Sequence, residues 1–211
     1  QASLDFPNSE IANWIETHAV QGGFVFTPKY RSAVAVASIG GRIFEIDPLA
    51  GFTVKEITPH LMTATTANFT TPAVGSNVPM SVTDASVVLA GLPIEINGHR
   101  YMVVSISGNT LTVTNLDAPI GVVTSGNIVM ALDPNSSTLG RAWMQQAELF
   151  LIIQDGQRRA IIYDGSSSFR SDITKQQVPT GKQMAYGKGR LAVAVNGNEF
   201  AWGDIVGGAV N

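Results

Sequence analysis

The chain has 211 residues, of which 14% are charged and 45% hydrophobic, and its net charge is -3. This length allows one large or two small domains with a buried core. The negative balance argues against direct nucleic-acid recognition, which needs a clustered excess of Lys and Arg. Cysteine is absent, which excludes disulfides and thiolate metal sites. Because Gly, Asn or Asp interrupts every apolar run, we expect no membrane insertion.

A single short helix is predicted near the N-terminus. Asn8, after Pro7, offers a side chain that can accept a hydrogen bond from the first helical turn. Four apolar residues then recur at helical spacing, namely Ile11, Trp14, Ile15 and Ala19.

The two flanks of the chain contain hydrophobic hairpins with glycine at the tip. The predicted strand pairs are 33–39 with 42–46, 149–153 with 160–163, and 190–195 with 199–202. Glycine favours the positive φ angles that a tight hairpin turn requires. Repetition of one hydrophobic hairpin indicates a repeat architecture.

The middle of the chain has a different texture. Residues 61–135 carry only five charged side chains, whereas the flanks carry 24. Turn signals at Asn97–Gly98 and Gly108–Asn109 predict a three-stranded meander of 92–96, 100–106 and 110–115. Further alternating segments bring the expected total to six or seven short strands, in a small β-barrel or β-sandwich.

The spacing of the hairpin tips predicts the domain organisation. Gly156 and Gly197 are 41 residues apart, within the range of about 40–50 for one four-stranded propeller blade. Gly41 and Gly156 are 115 residues apart, exceeding that period by 74 residues. We therefore predict an all-β chain in which a partial, β-propeller-like body of residues 1–61 and 136–211 is interrupted by an inserted β-domain, 62–135.

A closed propeller needs more hairpins than this chain supplies. Propellers have four to eight blades, so further blades either follow Asn211 or come from other chains. We accordingly expect the sequence to be a fragment or a processed product.

No catalytic site, metal site or cofactor is predicted, and we expect the chain not to be an enzyme. The three histidines share no metal-binding spacing, and no nucleophile-elbow or phosphate-loop motif is complete. Two alternatives stay open. A calcium site would draw on Asp155, Asp164, Asp172 and Asp204. A glycosidase pair would draw on Glu45, Glu148 and Glu199.

Aromatic side chains are the best candidates for a binding surface. Rings on strands can stack on sugars, although they pack in the core or across strands more often. The candidate residues are Tyr101, Tyr163, Tyr186 and Trp202.

Several stretches resemble known phage proteins and together cover about two thirds of the chain. Five segments of the C-terminal flank resemble propeller-like virion proteins of tailed bacteriophages. They are AELFLIIQDG (147–156), IIYDG (161–165), VPTG (178–181), MAYGKGRL (184–191) and GDIV (203–206). The middle of the chain resembles a small β-domain that recurs in phage tail and fibre proteins, through NFTTPAVG (68–75) and VSISGNT (104–110). These motifs are turn and strand signatures, so they indicate a kind of protein and not a mechanism.

The resemblance implies a structural component of the virion, in the tail or the head-to-tail connection. Its expected partners are other virion proteins, through assembly into a homo-oligomeric ring or spike. An alternative is a tail module in which the inserted domain binds a host-surface glycan or protein. A propeller enzyme acting on polysaccharide is a third reading.

Overall fold

The computed structural model describes residues 3–136, 138–175, 177–206 and 209–210. This part of the chain is mostly antiparallel β, in five sheets, with one short N-terminal helix. None of its helices is long and apolar enough to cross a membrane. The chain divides into two compact units, which we call the body (1–59 and 134–211) and the insert (60–133). The predicted domain limits at residues 62 and 135 lie two residues from those of the insert.

The elements are numbered in chain order. The helix α1 is Ser9–Thr17, and a 3-10 helix spans Ile173–Lys175. The strands are β1 Val20–Phe26, β2 Val34–Ile39, β3 Arg42–Asp47, β4 Thr53–Glu56, β5 His60–Ala64, β6 Phe69–Thr70, β7 Asn77–Ser81, β8 Pro93–Ile96, β9 His99–Ser107, β10 Thr110–Asn115, β11 Val122–Val123, β12 Ile128–Leu132, β13 Trp143–Ala147, β14 Phe150–Gln154, β15 Ile161–Tyr163, β16 Ser168–Arg170, β17 Met184–Gly187, β18 Arg190–Asn196, β19 Glu199–Val206 and β20 Ala209–Val210.

The predicted helix is confirmed, and it ends earlier than the apolar spacing suggested. The side chain of Asn8 accepts a hydrogen bond from the backbone N–H of Ile11 at 2.9 Å, as an N-cap does. His18 adopts an extended backbone (φ -113°). Ala19 therefore lies beyond α1.

The body contains three antiparallel four-stranded sheets whose strands follow one another in chain order. We call them sheet I (β1–β4), sheet II (β13–β16) and sheet III (β17–β20). The three predicted hairpins are confirmed as the central strand pairs β2–β3, β14–β15 and β18–β19. The sequence did not predict the strands on either side of those pairs.

The sheets of the body pack face to face in chain order. On β14, Leu151 and Ile153 pack against sheet I, whereas Ile152 points to the other side and packs against Leu191 and Val193 of sheet III. All five side chains are buried. Because successive side chains on a strand point to opposite faces, β14 contributes to both hydrophobic layers. Helix α1 covers the remaining face of sheet I.

The insert has eight strands, so the prediction of six or seven was too low. Six strands form one sheet in the order β5-β12-β8-β9-β10-β7, and the two-residue strands β6 and β11 pair separately. The predicted meander is confirmed as β8-β9-β10. Asn97 and Gly98 have φ angles of 54° and 77°, which is the conformation of a two-residue hairpin turn.

The six-stranded sheet of the insert is joined near its two outer strands. Thr65, after β5, forms an antiparallel bridge with Val82, after β7. The backbone N–H of Thr66 also donates to the carbonyl of Ser81 at 2.9 Å. Within the described residues, the strands form no closed propeller and no closed barrel.

Candidate functional site

Sheet III has an apolar face that points away from sheet II. In the strand register, Trp202 lies opposite Ala192, Phe200 lies opposite Ala194, and Ala192 lies opposite Ala185. Residues directly opposite one another on paired strands project from the same side of the sheet. We call this set of five side chains the free face.

The two aromatic side chains of the free face are largely exposed to solvent. Trp202 is 72% exposed and Phe200 is 62% exposed. Neither belongs to a hydrophobic cluster formed by the described residues of the body. A contiguous exposed apolar patch of this kind marks a protein interaction surface more often than a single exposed residue does.

A cavity lies between the tip of the β18–β19 hairpin and the edge of sheet II. It has a volume of about 540 Å³, and its lining includes Ala194, Phe200, Trp143 and Lys182. Because Trp143 begins β13 and Gly156 lies in the β14–β15 turn, the cavity lies toward sheet II and does not extend the free face.

The opposite face of sheet III is packed in the ordinary way. Leu191 and Val193 are buried against sheet II, together with Ile152 and Ile162. The central part of sheet III is therefore apolar on both sides, whereas the register on the free-face side continues to the charged residues Arg190 and Asp204. Described residues cover only the side that faces sheet II. Sheets with two apolar faces are typical of layers that lie between two other layers.

A polar cluster lies between sheets I and II, in which Glu45 and Tyr163 are buried and Arg31 is 36% exposed. The hydroxyl of Tyr163 donates to Glu45 Oε2 at 2.5 Å. Arg31 forms an ion pair with Glu45 and donates to the Tyr163 hydroxyl at 3.0 Å. Burial and the hydrogen bond to the Glu45 carboxylate raise the pKa of Tyr163 well above its usual value, and Arg31 only partly opposes them. The contacts of this cluster therefore link sheet I to sheet II, and Tyr163 is protonated and neutral within it.

A second polar cluster fixes helix α1 to sheet I. Arg42, fully buried, donates to Glu56 at 2.7 and 2.6 Å and to Glu10 of α1 at 2.5 and 3.2 Å. Its guanidinium also lies over the rings of Trp14 and Phe44, at 4.8 and 5.3 Å from their centroids. Burial lowers the pKa of Arg42, but the hydrogen bonds to both carboxylates outweigh this and raise it. Arg42 is thus held as a cation under the helix.

The four predicted aromatic residues do not form one surface. Tyr101 is buried in the core of the insert, and burial raises its pKa. Tyr163 is buried between sheets I and II. Tyr186 packs partly into the layer between sheets II and III. Trp202 alone among the four is largely exposed, and it lies on the free face.

Tyr186 is engaged by a neighbouring carboxylate. Its hydroxyl donates a short hydrogen bond to Glu148, which raises the pKa of Tyr186. Glu148 lies in the turn before β14 and has a positive φ of 51°. The pair therefore connects the β13–β14 turn of sheet II to β17 of sheet III.

The acidic residues considered for catalysis or calcium binding have local partners. Glu45 is buried in the polar cluster with Arg31, and Glu199 begins β19. Asp155, Asp164 and Asp172 accept backbone hydrogen bonds from the residues that follow them, as turn aspartates do. The side chain of Asp204 lies outside the described residues. In the described ranges, no group of three His, Asp or Glu side chains could hold a metal ion.

Sequence reasoning missed the two polar clusters and most of the free face. The signal for the free face was a pair of patterns on adjacent strands. Alanine occupies every second position on β18, at Ala192 and Ala194, and aromatic residues occupy every second position on β19, at Phe200 and Trp202. The signal for the Arg42 cluster was one arginine at the start of β3, directly before the apolar residues Ile43 and Phe44.

Comparison of the chain with protein-family models, with curated proteins and with solved structures finds no match.

Proposed function

We propose that the chain is a structural component of a tailed-phage virion, in the tail or head-to-tail connection, and that it acts by protein–protein assembly. The observation that carries the assembly role is the free face, an apolar sheet surface that the described residues leave uncovered. The virion assignment rests on the resemblance of the flank and insert segments to phage proteins.

We further propose that sheets I, II and III are consecutive blades of a propeller-like body. Each is a four-stranded antiparallel meander, and each packs on the next in chain order. The first strands of the three sheets, β1, β13 and β17, also lie side by side, as the innermost strands of propeller blades do. In this arrangement the free face is the position at which the next blade-like sheet packs.

The insert is proposed to be a small barrel-like domain. Its support is the bridge between Thr65 and Val82, which joins the two outer strands of the six-stranded sheet. Side chains on its inner face, among them Tyr101, Leu111 and Val129, form one buried cluster.

The assembly role is tested in a phage whose gene for this chain carries Trp202→Lys. Free particles are purified through a high-salt gradient, and the amount of this chain per particle is measured by quantitative mass spectrometry. We expect at least a tenfold loss, because a lysine ammonium buried in an apolar contact has no partner. Leu49→Lys, at an exposed residue of the β3–β4 turn, is the matched control and is expected to be incorporated normally. Normal incorporation of the Trp202 variant contradicts the proposal.

A second candidate function is binding of a host-surface glycan or protein by the insert. The observation that favours it is an exposed apolar row on strands β5 and β12, formed by Met62, Ile128 and the partly exposed Met130. Such a row suits a protein partner better than a glycan, because it offers few hydrogen-bonding groups. Deletion of residues 60–133 is then expected to abolish host attachment while particles still assemble. Unchanged attachment would exclude this candidate.

A further inference from the structure

We propose that a pocket between the loops of sheets I and II binds an apolar side chain with a carboxylate beside it, on a peptide segment of a partner protein. We call it the loop pocket, and its lining is residues 28–31, 149–150 and 164–166. Its volume is about 390 Å³, within the range of about 300–1,000 Å³ that is typical of ligand sites. The loop pocket is separate from the free face, and the inference does not depend on the virion assignment.

Side-chain hydrogen bonds and close packing fix the walls of the loop pocket. The amide nitrogen of Gln146 donates to the carbonyls of Thr27 and Glu148 at 3.1 and 3.0 Å, and its amide oxygen accepts from the backbone N–H of Thr27 at 3.1 Å. This side chain joins the β1–β2 connection of sheet I to the β13–β14 turn of sheet II. In the β15–β16 turn, a Cβ on Gly165 would lie 2.7 Å from the Cβ of Pro28. The walls are therefore in place before a ligand arrives, which lowers the ordering cost of binding.

Most of the side chains in the lining are apolar. Pro28, Leu149 and Phe150 contribute to it, as does the ring of Tyr30, which is 87% exposed. An apolar side chain gains free energy here because it and the lining leave water together. The hydroxyl groups of a sugar would instead lose hydration against walls that offer them few partners.

The acid of the lining is occupied by its own turn. Asp164 Oδ1 accepts hydrogen bonds from the backbone N–H groups of Ser166 and Ser167, both at 2.7 Å, and Oδ2 accepts from the Ser167 hydroxyl at 3.2 Å. Little acceptor capacity remains for the hydroxyl groups of a glycan. The loop pocket therefore suits a peptide side chain better than a sugar.

The two cations of the lining select a carboxylate. Arg31 is held by Glu45 and the Tyr163 hydroxyl, and 36% of its side chain stays exposed. Glu45 balances the charge of this guanidinium. Lys29 is exposed, lies 4.9 Å from the centre of the Tyr30 ring, and forms no ion pair with another described residue. Its ammonium is therefore available to a carboxylate of the ligand, beside a guanidinium that is fixed in place.

The test is an NMR titration of the isotope-labelled full chain. The probe is N-acetylphenylalanine, in which a carboxylate lies next to an apolar ring, and N-acetylphenylalaninamide is the matched neutral probe. We expect the acid to shift the backbone amide signals of residues 29–31, 149–150 and 164–166 with a dissociation constant of about 1 mM. The neutral probe is expected to bind about fivefold more weakly, because it makes no ion pair.

Substitutions at two exposed residues assign the two halves of the site. Lys29→Glu is expected to weaken binding of the acid at least tenfold, since it places a like charge beside the carboxylate, and to leave binding of the neutral probe unchanged. Tyr30→Ala is expected to weaken binding of both probes about threefold or more. Lys175→Glu, at a lysine outside the lining whose side chain is 73% exposed, is the control and changes neither. Circular dichroism verifies that each variant is folded.

Several outcomes would overturn the proposal. They are no saturable shift up to about 10 mM probe, shifts confined to other parts of the chain, equal affinity for the acid and the neutral probe, and binding of the acid that is insensitive to Lys29→Glu. Glucuronate, an acidic sugar, is titrated in parallel. If it binds as tightly as N-acetylphenylalanine, the loop pocket is a glycan site and the proposal is wrong. Incorporation of the chain into particles is measured separately, so failure here is distinguishable from failure of the proposed function.

Discussion

Replacement of Arg42 by methionine is expected to destabilise the body strongly. The substitution removes four hydrogen bonds of 2.5–3.2 Å to Glu10 and Glu56 and leaves two carboxylates facing each other beneath α1. Breaking a buried ion pair from one side costs about 3–5 kcal/mol, because an uncompensated buried charge remains. The lost contacts with the rings of Trp14 and Phe44 add about 1 kcal/mol.

The measurement is urea unfolding followed by circular dichroism and tryptophan fluorescence. Because the chain has two compact units, the transition of the body is fitted separately from that of the insert. With a slope of about 2 kcal/mol per molar urea, a loss of about 4 kcal/mol lowers the midpoint of the body by about 2 M. The insert transition is expected to stay in place. Arg159→Met, at an exposed arginine of the same unit, is the control and should change stability by less than about 0.5 kcal/mol.

A triple variant separates charge from packing. Combining Arg42→Met with Glu10→Gln and Glu56→Gln removes the unpaired charges while keeping similar volumes. Neutral replacement of a whole buried ionic cluster is often harmless, so we expect at least half of the lost stability to return. A cost below about 1 kcal/mol for the single variant, or no recovery in the triple variant, refutes the assignment of Arg42 as a buried ionic clamp.

Three further predictions concern other contacts. Tyr163→Phe should cost about 2 kcal/mol of body stability. Because the pKa of Tyr163 is raised, the wild-type body loses stability as pH rises above about 10, and the variant should show a flatter stability profile in that range. Identical alkaline profiles for the two proteins would contradict the Glu45 contact. Gly22→Ala places a Cβ 2.4 Å from a backbone oxygen before sheet II and should lower the body midpoint in a thermal scan; an unchanged midpoint contradicts the close approach. Asp117→Asn should cost the insert about 1 kcal/mol at pH 7 and less at pH 2.5. Burial alone would raise the pKa of Asp117, but its hydrogen bonds and ion pair with Arg100 lower it, so this stability is lost progressively as pH falls below about 4. Equal losses at both pH values argue against the ion pair.

The elements that the sequence predicted correctly are those with strong local signals. Hydrophobic strand pairs with glycine at the tip marked β2–β3, β14–β15 and β18–β19, and Asn97–Gly98 marked the β8–β9 hairpin. The strands on the flanks of each sheet lack such signals. β13 (WMQQA) is half polar, β16 has three residues, and β1 contains two adjacent glycines. Their pairing depends on the central strands already being in place.

The binding surface was predicted less well, because residue type does not reveal which sheet face is covered. Tyr163 and Trp202 both lie on strands of the body, yet the ring of Tyr163 is buried against sheet I and that of Trp202 is exposed. Both faces of sheets II and III are apolar, so alternation alone does not separate an internal layer from an open one. The Arg42 cluster joins residues 14 and 32 positions apart, a distance over which sequence spacing carries no information on contact.

The central claim is that the free face of sheet III is an assembly contact, and thiol labelling tests it directly. The chain has no cysteine, so Ala185→Cys on the free face and Leu49→Cys in the β3–β4 turn each introduce one reactive site. Maleimide labelling of each variant is compared between the dilute free chain and purified particles, with mass spectrometry as the readout. We predict that the Ala185→Cys variant is labelled at least tenfold less in particles than as the free chain. The Leu49→Cys variant is expected to be labelled equally in both states. Equal labelling of the free-face variant in both states would contradict the account.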